Sequence, residues 1–402
     1  MRRDRKDARP LKTSRIAVVG YSIAGATVSA LLARQGHAVQ VFERSDGAAT
    51  GSGLLLQPSG QLALERLGLL DTMRARGEVI SDVEAYTATG RRIARLVFAE
   101  LGADVRGLAL ERRILLSALD ALARAWGVRA QLRMPIVDGR AGHDGATITD
   151  DRGTEHGPFD LVIGADGVDS ATRRFAGLAR WHHRYGYGAL WTMGPACRIR
   201  GQLRMVTRGT RELIGLLPLS TDRCNFFWSE HLDRYPATRA GGFAAWRERV
   251  LRLCPDAEPV LADVRDFDDL RPTGYGHVTT RSAGTGPFVL IGDAAHAMSP
   301  HTGQGVNLAL IDAYELAQAI ARATTVQEAL RSYESARHRQ LRFYGWLTLV
   351  MTPLFQSDPY VLGLLRDLGL PIVERLPYVR HRLLLAMSGL TAGFRGDRWR
   401  LS

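Results

Sequence analysis

The stretch VVGYSIAG, residues 18–25, admits two readings, and the fold follows from the choice between them. As G-x-S-x-G with Ala24 in the last place, it resembles a nucleophile elbow with Ser22 as the nucleophile. As G-x-G-x-x-G, with Gly20 first, Ser22 second and Gly25 third, it is a dinucleotide-binding loop. Both motifs join a strand to a helix. The flanks decide. RIAVVG (15–20) is a β-branched run suited to a buried parallel strand. AGATVSALLARQGH (24–37) has Val28, Leu31 and Leu32 at helical spacing and Gly36 as a stop. AVQVFER (38–44) is a second strand ending at Glu43. The unit is βαβ, with a carboxylate about 20 residues after the first glycine, where such folds bind ribose hydroxyls. An elbow needs earlier strands to supply half of its oxyanion hole, and only 19 residues, most of them a charged tail, precede Gly20. The helix N-terminus behind Ala24 and Gly25 then receives a pyrophosphate. Serine in the second place is small, with a hydroxyl that either donates to phosphate or points away.

Composition narrows the class. The chain has 402 residues, 46% hydrophobic and 23% charged, enough for two domains. Its net charge of +12 sits largely at the ends: +5 on 1–15 and +4 on 380–402. A nucleic-acid groove needs a basic stripe on the folded body, so that class is set aside. Lys6 and Lys12 are the only lysines, which excludes any lysine chemistry in the body. Cys197, Cys224 and Cys254 are odd in number and form no C-x-x-C, so neither a disulfide framework nor a zinc site is expected. The basic start followed by apolar residues 16–33 resembles a signal peptide, but Gly20, Ser22, Gly25 and Ser29 interrupt it. No apolar run reaches membrane-spanning length. A cytoplasmic protein with a disordered tail over 1–13 is expected.

Two later segments extend the pattern. DLVIGADGVDSATRR (160–174) is an apolar strand running into G-A-D-G, and GPFVLIGDAAHAMSPHTGQGVNLALIDAYELAQAI (286–320) is a strand, a G-D turn, a Pro-Gly loop and a long helix. GLALERRILLSAL (107–119) adds Arg112 ahead of Leu115 and Leu119. In this order and at these distances, the segments resemble the flavoprotein monooxygenases of the para-hydroxybenzoate hydroxylase and salicylate hydroxylase type, over about residues 15 to 350.

The resemblance implies an α/β fold in which a Rossmann-like FAD-binding domain (14–79, 105–180 and 281–330) is interleaved with a substrate domain on an antiparallel or mixed sheet (80–104 and 181–280). A C-terminal helical region (331–402) follows. It also implies roles. Gly20, Ser22, Ala24 and Gly25 would line the pyrophosphate loop. Glu43 would bind the adenosine ribose, with Arg44 along the adenine or its phosphate. Arg112 would reach the pyrophosphate or ribityl chain, where a guanidinium offsets phosphate charge. Asp166 would line the cofactor channel and Asp293 would accept from ribityl hydroxyls. Pro300, Gly303, Gly305, Val306 and Asn307 would pass along the flavin ring, with helix amides aimed at its pyrimidine end. Asp166 and Asp293 also read as loop-capping aspartates, and His296 and His301 as satisfied histidines.

Segments YGYGALW (185–191), RELIGLLPLS (211–220) and RCNFFWSE (223–230) alternate as an antiparallel sheet would. Alternation places Tyr185, Tyr187 and Trp191 on one face, and Phe226 and Trp228 together on the next strand. Flat aromatic walls suit a flat substrate, so Tyr187, Trp191, Phe226 and Trp228 are the candidate substrate residues, with plain sheet core as the alternative. A long helix is expected to end before Pro353. The activity the resemblance implies is hydroxylation of an aromatic or heteroaromatic small molecule through a flavin C4a-hydroperoxide. FAD is the bound cofactor, NADPH or NADH a transient reductant and O2 the co-substrate. Natural-product tailoring and a monomer or homodimer are the expected setting. No acid or base is assigned. A flavin-dependent reductase or oxidase on the same fold, or a non-enzymatic redox sensor, remain the rival readings.

Overall fold

The computed structural model describes residues 13–47, 52–395 and 397–401, so the tail expected over 1–13 lies outside them apart from Thr13. From there the chain follows the periodicity of its residues. Arg15–Val19 is a strand with its last four residues buried, Ile23–Arg34 a helix and Ala38–Phe42 a second strand. Gly36 closes the helix at φ +88°, a conformation glycine adopts without steric cost.

These strands belong to a six-stranded sheet in the order Gly284–Thr285, Phe288–Leu290, Leu161–Gly164, Arg15–Val19, Ala38–Phe42, Ala130–Gln131. All pairs are parallel except the edge hairpin of 284–290. Helices Ile23–Arg34, Arg112–Ala125 and Gly305–Arg322 cover one face through Val28, Leu31, Leu119 and Leu316. The antiparallel sheet Ile136–Gly142, Gly145–Asp150 and Glu155–Phe159 covers the other through Ile136, Ile148 and Phe159. Burial on both faces is why these strands read as unbroken apolar runs.

The chain leaves this layer twice to build a seven-stranded sheet. Its order is Arg271–Thr280, Ala179–Pro195, Arg223–His231, Glu212–Pro218, Gln202–Arg208, Asp82–Thr87, Arg92–Val97. It is mixed, because Gln202–Arg208 runs parallel to Asp82–Thr87. A smaller antiparallel sheet of Gly53–Leu56, Gly107–Glu111 and Glu78–Ile80 lies where the chain crosses. Helices Val326–Phe355, Tyr360–Glu374 and Pro377–Met387 end the fold.

Two expectations are corrected. The long helix runs past Pro353 to Phe355, because burial of Thr348, Thr352 and Phe355 holds its last turn and the ring removes a single helical bond. Cys197 and Cys224 are paired, with Cα atoms 5.6 Å apart. Their separation of 27 residues carries no sequence signal. Strand pairing of Gly194 with Cys224 delivers the following turn, and Cys197 with it, to its partner. Cys254 is buried and free. No helix among the described residues is long and apolar enough to cross a membrane.

Candidate cofactor and substrate site

Register brings the three distant segments to one edge. Val19 pairs with Phe42 on one side and with Gly164 on the other, and Gly164 pairs with Leu290. The four strands therefore end in a row, and the ladder continues one residue further: Gly20 N–H donates to Phe42 O at 2.8 Å, Ala165 to Val19 O at 2.7 Å and Ile291 to Gly164 O at 3.0 Å. Glu43, the Gly20–Gly25 loop, Ala165–Asp166 and Gly292–Asp293 all emerge there. In a parallel sheet, ligands bind outside this carboxyl edge.

The loop is shaped by missing side chains. Gly20 has φ +97°, and a Cβ there would stand 2.4 Å from Ala165 O. A Cβ at Gly25 would stand 1.9 Å from Gly20 O. Ala24 is the neighbour that a Cβ on Gly292 would meet at 3.2 Å, so small residues bring the first and third segments together. Ser22 precedes the helix but does not cap it; its Oγ accepts from Arg112 Nη2 at 2.7 Å. The first turn keeps its amides uncapped by side chain or acid, with a guanidinium held above them, as a pyrophosphate requires. Glu43 accepts from the Tyr21 and Ser45 amides at 2.6 and 2.9 Å, which leaves acceptor capacity on a half-buried carboxylate. Arg44 beside it is exposed.

Asp293 is exposed, and no described residue donates to its carboxylate. Its Oδ1 lies 4.0 Å from where a Cβ of Gly305 would be, so it borders the start of helix Gly305–Arg322, whose N-terminus no side chain caps. Pro300 and Gly305 are exposed, Val306 half-buried, and Gly303 turns the chain at φ +60°. These residues line the same edge.

Two assigned residues are otherwise engaged. Asp166 accepts from Ser170 Oγ at 2.5 Å and from Thr172 N and Oγ1 at 3.0 and 3.1 Å, which makes it the capping residue of its own loop. Asn307 is fully buried. It donates to Leu55 O and Gly303 O and accepts from Gln57 N, clasping strand Gly53–Leu56 to the helix. Asp312, which sequence reasoning missed, holds the G-D turn from below. It accepts from Gly292 N at 2.9 Å, from Arg337 Nε at 2.7 Å and from His296 Nε2. Burial alone would raise its carboxyl, but His296 and Arg337 outweigh it and bring it down to about 2.

The substrate-side assignment needs correction by one residue of register. Leu190 pairs with Trp228, and Trp191 with Phe227. Phe226 and Trp228, 0% and 1% exposed, point to the helix Phe243–Leu253 and pack edge-on against Trp246 at 6.3 and 5.6 Å. They are core. Tyr187 and Trp191 share the opposite face with Asn225, Phe227 and Ser229. The signal was in the strand itself: Cys224, Phe226 and Trp228 form an all-apolar face, whereas Asn225 and Ser229 interrupt the other. Tyr187 donates to Asp358 at 3.2 Å, and Trp191 Nε1 donates to Thr273 Oγ1 at 3.0 Å.

That opposite face is roofed by the turn Pro300–Thr302 and the end of helix Val326–Phe355. Tyr275 and Gln356 meet Ser229 there, and burial pushes the Tyr275 phenol up to about 12. His301 is the most telling group. Thr352 Oγ1 donates its only proton to Thr348 O, so Ser299 Oγ must donate to Thr352 Oγ1 and accept from His301 Nδ1–H, at 2.7 and 2.9 Å. The tautomer is thereby set, and Nε2 is a buried lone pair with no partner among the described residues. Burial pushes the ring down to about 4, so it is neutral.

Comparison with known proteins agrees with this fold. Residues 13–342 match the family model described as FAD binding domain. The chain is 33% identical over 344 residues to a 3-amino-4-hydroxybenzoate 2-monooxygenase of Streptomyces cremeus, covering 80% of this chain and 83% of that one. It is 27% identical over 388 residues to a 6-methylpretetramide 4-monooxygenase of Streptomyces rimosus, covering 92% and 90%. Klebsiella pneumoniae HpxO, solved with FAD and uric acid, has the same fold at a TM-score of 0.78 and 21% identity, covering 93% of this chain and 97% of that one. The tetrameric form of 2-methyl-3-hydroxypyridine-5-carboxylic acid oxygenase superposes at 0.76 and 23% identity, covering 89% and 96%. The chain thus belongs to the FAD binding domain family, and within it to the FAD-dependent monooxygenases of aromatic compounds.

Proposed function

We propose that this monooxygenase inserts one atom of O2 into the ring of a small phenolic compound, held between the flavin and the polar face that carries Tyr187, Trp191 and Tyr275. The second oxygen leaves as water, with NADPH or NADH supplying two electrons. The observation that carries the reading is the shared carboxyl edge of four parallel strands, which delivers Glu43, Gly20–Gly25 and Gly292–Asp293 to one groove. A Cβ at Gly20 or Gly25 would close the cradle, and the unpartnered Asp293 suits a polyol, so the residues present fit FAD.

When bound, the flavin supplies the two-electron and oxygen chemistry. This chain's residues hold and orient. Arg112 and the Ile23 helix amides would hold the pyrophosphate, Glu43 the ribose, and Asp293 the ribityl hydroxyls. Amides at Gly305 and Val306 favour negative charge on the ring system. His301 Nε2 accepts a hydrogen bond from the substrate hydroxyl, which enriches the ring in electrons and turns one carbon toward the flavin. The apolar contacts of Phe355 with His301 help keep water away.

The test is a panel of phenols that includes 3-amino-4-hydroxybenzoate, the compound for which the Streptomyces cremeus relative is named. Yellow protein, accelerated NAD(P)H oxidation with one panel member, and a product carrying one 18O atom from 18O2 support the reading. Flavin reduction followed only by hydrogen peroxide, with no labelled product from any phenol, would replace hydroxylation by an oxidase or reductase activity.

A further inference from the structure

The C-terminal helices expose what a folded surface normally hides. Helix Tyr360–Glu374 packs against the seven-stranded sheet through its polar side: the Arg366 side chain is 0% exposed, donating to Thr207 Oγ1 at 2.9 Å and to Leu354 O at 3.0 Å. Glu374 accepts from the Arg95 amide on the edge strand, and Gly363 abuts Gly209. Its apolar stripe faces outward. Val361, Leu365, Leu368 and Ile372, spaced for one helical face, are 56%, 59%, 61% and 59% exposed. Such an inverted helix is stable only if something else takes its leucines out of water.

The surroundings say what that is. Trp346, Tyr360 and Tyr378 are exposed near this stripe, residue types that sit at the boundary between hydrocarbon and water. Among the described residues from 345 onward, each acid side chain has an arginine within reach: Asp358 has Arg234, Asp367 has Arg366, Asp397 has Arg339, and Glu374 shares Arg380 with Glu100. Arg342, Arg375, Arg395, Arg398 and Arg400 are exposed and make no ion pair among the described residues. Among the described residues of the region, the unpaired charge is therefore predominantly positive. A second copy meeting this face about a two-fold axis would set arginine against arginine. An anionic lipid surface complements both the charge and the leucines.

We propose that helix Tyr360–Glu374, with the basic C-terminal segment beside it, is a membrane-surface docking site that lies in the interface of an anionic bilayer without crossing it. The helix seats its leucines among the acyl chains, and the arginines meet lipid phosphates. This inference is independent of the active-site reading, since none of its residues lines the groove.

The test uses the whole flavin-loaded protein with phosphatidylcholine vesicles and with vesicles that are about one-third phosphatidylglycerol, separated by flotation. Protein floating with the anionic vesicles only, and released at about 0.5 M NaCl, supports the proposal. The double variant Leu365→Asp/Leu368→Asp is made at exposed positions, and its circular dichroism and flavin absorbance report whether it is folded. Its binding is expected to drop about tenfold or more. Failure of the wild-type protein to float with anionic vesicles overturns the proposal. So does undiminished binding by the folded variant. A wild-type dimer in light scattering that the variant turns into monomer also overturns it, in favour of a second copy as occupant.

Discussion

Single atoms decide most of what the site can hold. Asp293 offers a carboxylate that no described residue engages, so its replacement by alanine removes ligand contacts without opening a structural hole. Loss of charged hydrogen bonds of about 1.5–3 kcal/mol each is expected to weaken FAD binding roughly tenfold to a hundredfold. The ratio of flavin to protein absorbance and a fluorescence titration of apoprotein measure it. Asp166→Ala is expected to act differently, because its oxygens serve Ser170 and Thr172: the loop loosens while flavin affinity changes little. His301 differs from both. Replacing it with leucine removes the lone acceptor at Nε2 and should leave flavin content intact. The expected loss in kcat/KM is roughly tenfold to a hundredfold, from one buried hydrogen bond of about 1–3 kcal/mol. Equal kcat/KM in the two proteins would remove His301 from the substrate's side.

Elements transmit these effects through close approach. The turn into helix Ile23–Arg34 tolerates no side chain at Gly25, where a Cβ would stand 1.9 Å from Gly20 O. Gly25→Ala must push the helix from the strand it follows, at a cost of about 1–3 kcal/mol, and should lower thermal stability and flavin content together. Strand Arg223–His231 shows the opposite separation of faces. Trp228→Leu is expected to destabilise the core around Trp246 by about 1–3 kcal/mol with KM for the substrate unchanged, whereas Trp191→Phe on the paired strand, at a half-buried position of the other face, should alter KM with little change in stability. Denaturant titration beside steady-state kinetics distinguishes the two faces. A slip of one residue along such a strand exchanges core for site, which is why alternation alone left Phe226 and Trp228 open between substrate wall and sheet core.

Across the whole molecule, buried charge and buried histidine tie distant segments to the site and to pH. Asp312 joins the G-D turn to Arg337 on the long helix, and Gln340 carries the network on to Gly389. Asp312→Ala leaves Arg337 buried without its carboxylate and is expected to cost about 3–5 kcal/mol in denaturant unfolding. His277 and His301 are both pushed down from 6.5 to about 4, by burial first and for His277 by His183 as well. Unfolded histidines take up a proton below about 6.5 while the folded ones stay neutral until about 4. Stability therefore falls as pH drops through that window, by about 1.4 kcal/mol per unit for each histidine. Thermal denaturation between about pH 7 and pH 4 should show this slope, and His277→Asn should make it shallower.

Local pattern determined the βαβ start, the glycine loop, Glu43 and the two later strand-turn segments, because a 2.0 or 3.6 residue period and a turn glycine leave their mark within a dozen residues. The same pattern carried the family resemblance, and with it FAD and aromatic monooxygenation. Tertiary structure alone decided which partners these residues found: Arg112 on Ser22, Asp166 on its own loop, Asn307 on strand Gly53–Leu56, Cys197 on Cys224, and Asp312 beneath the G-D turn. It also set which side of each strand faces the groove, and turned the leucines of helix Tyr360–Glu374 outward. The physical reason is that hydrogen bonds and face selection depend on strand register between segments up to about 250 residues apart in the chain, and register is a property of the packed sheet that no single segment encodes.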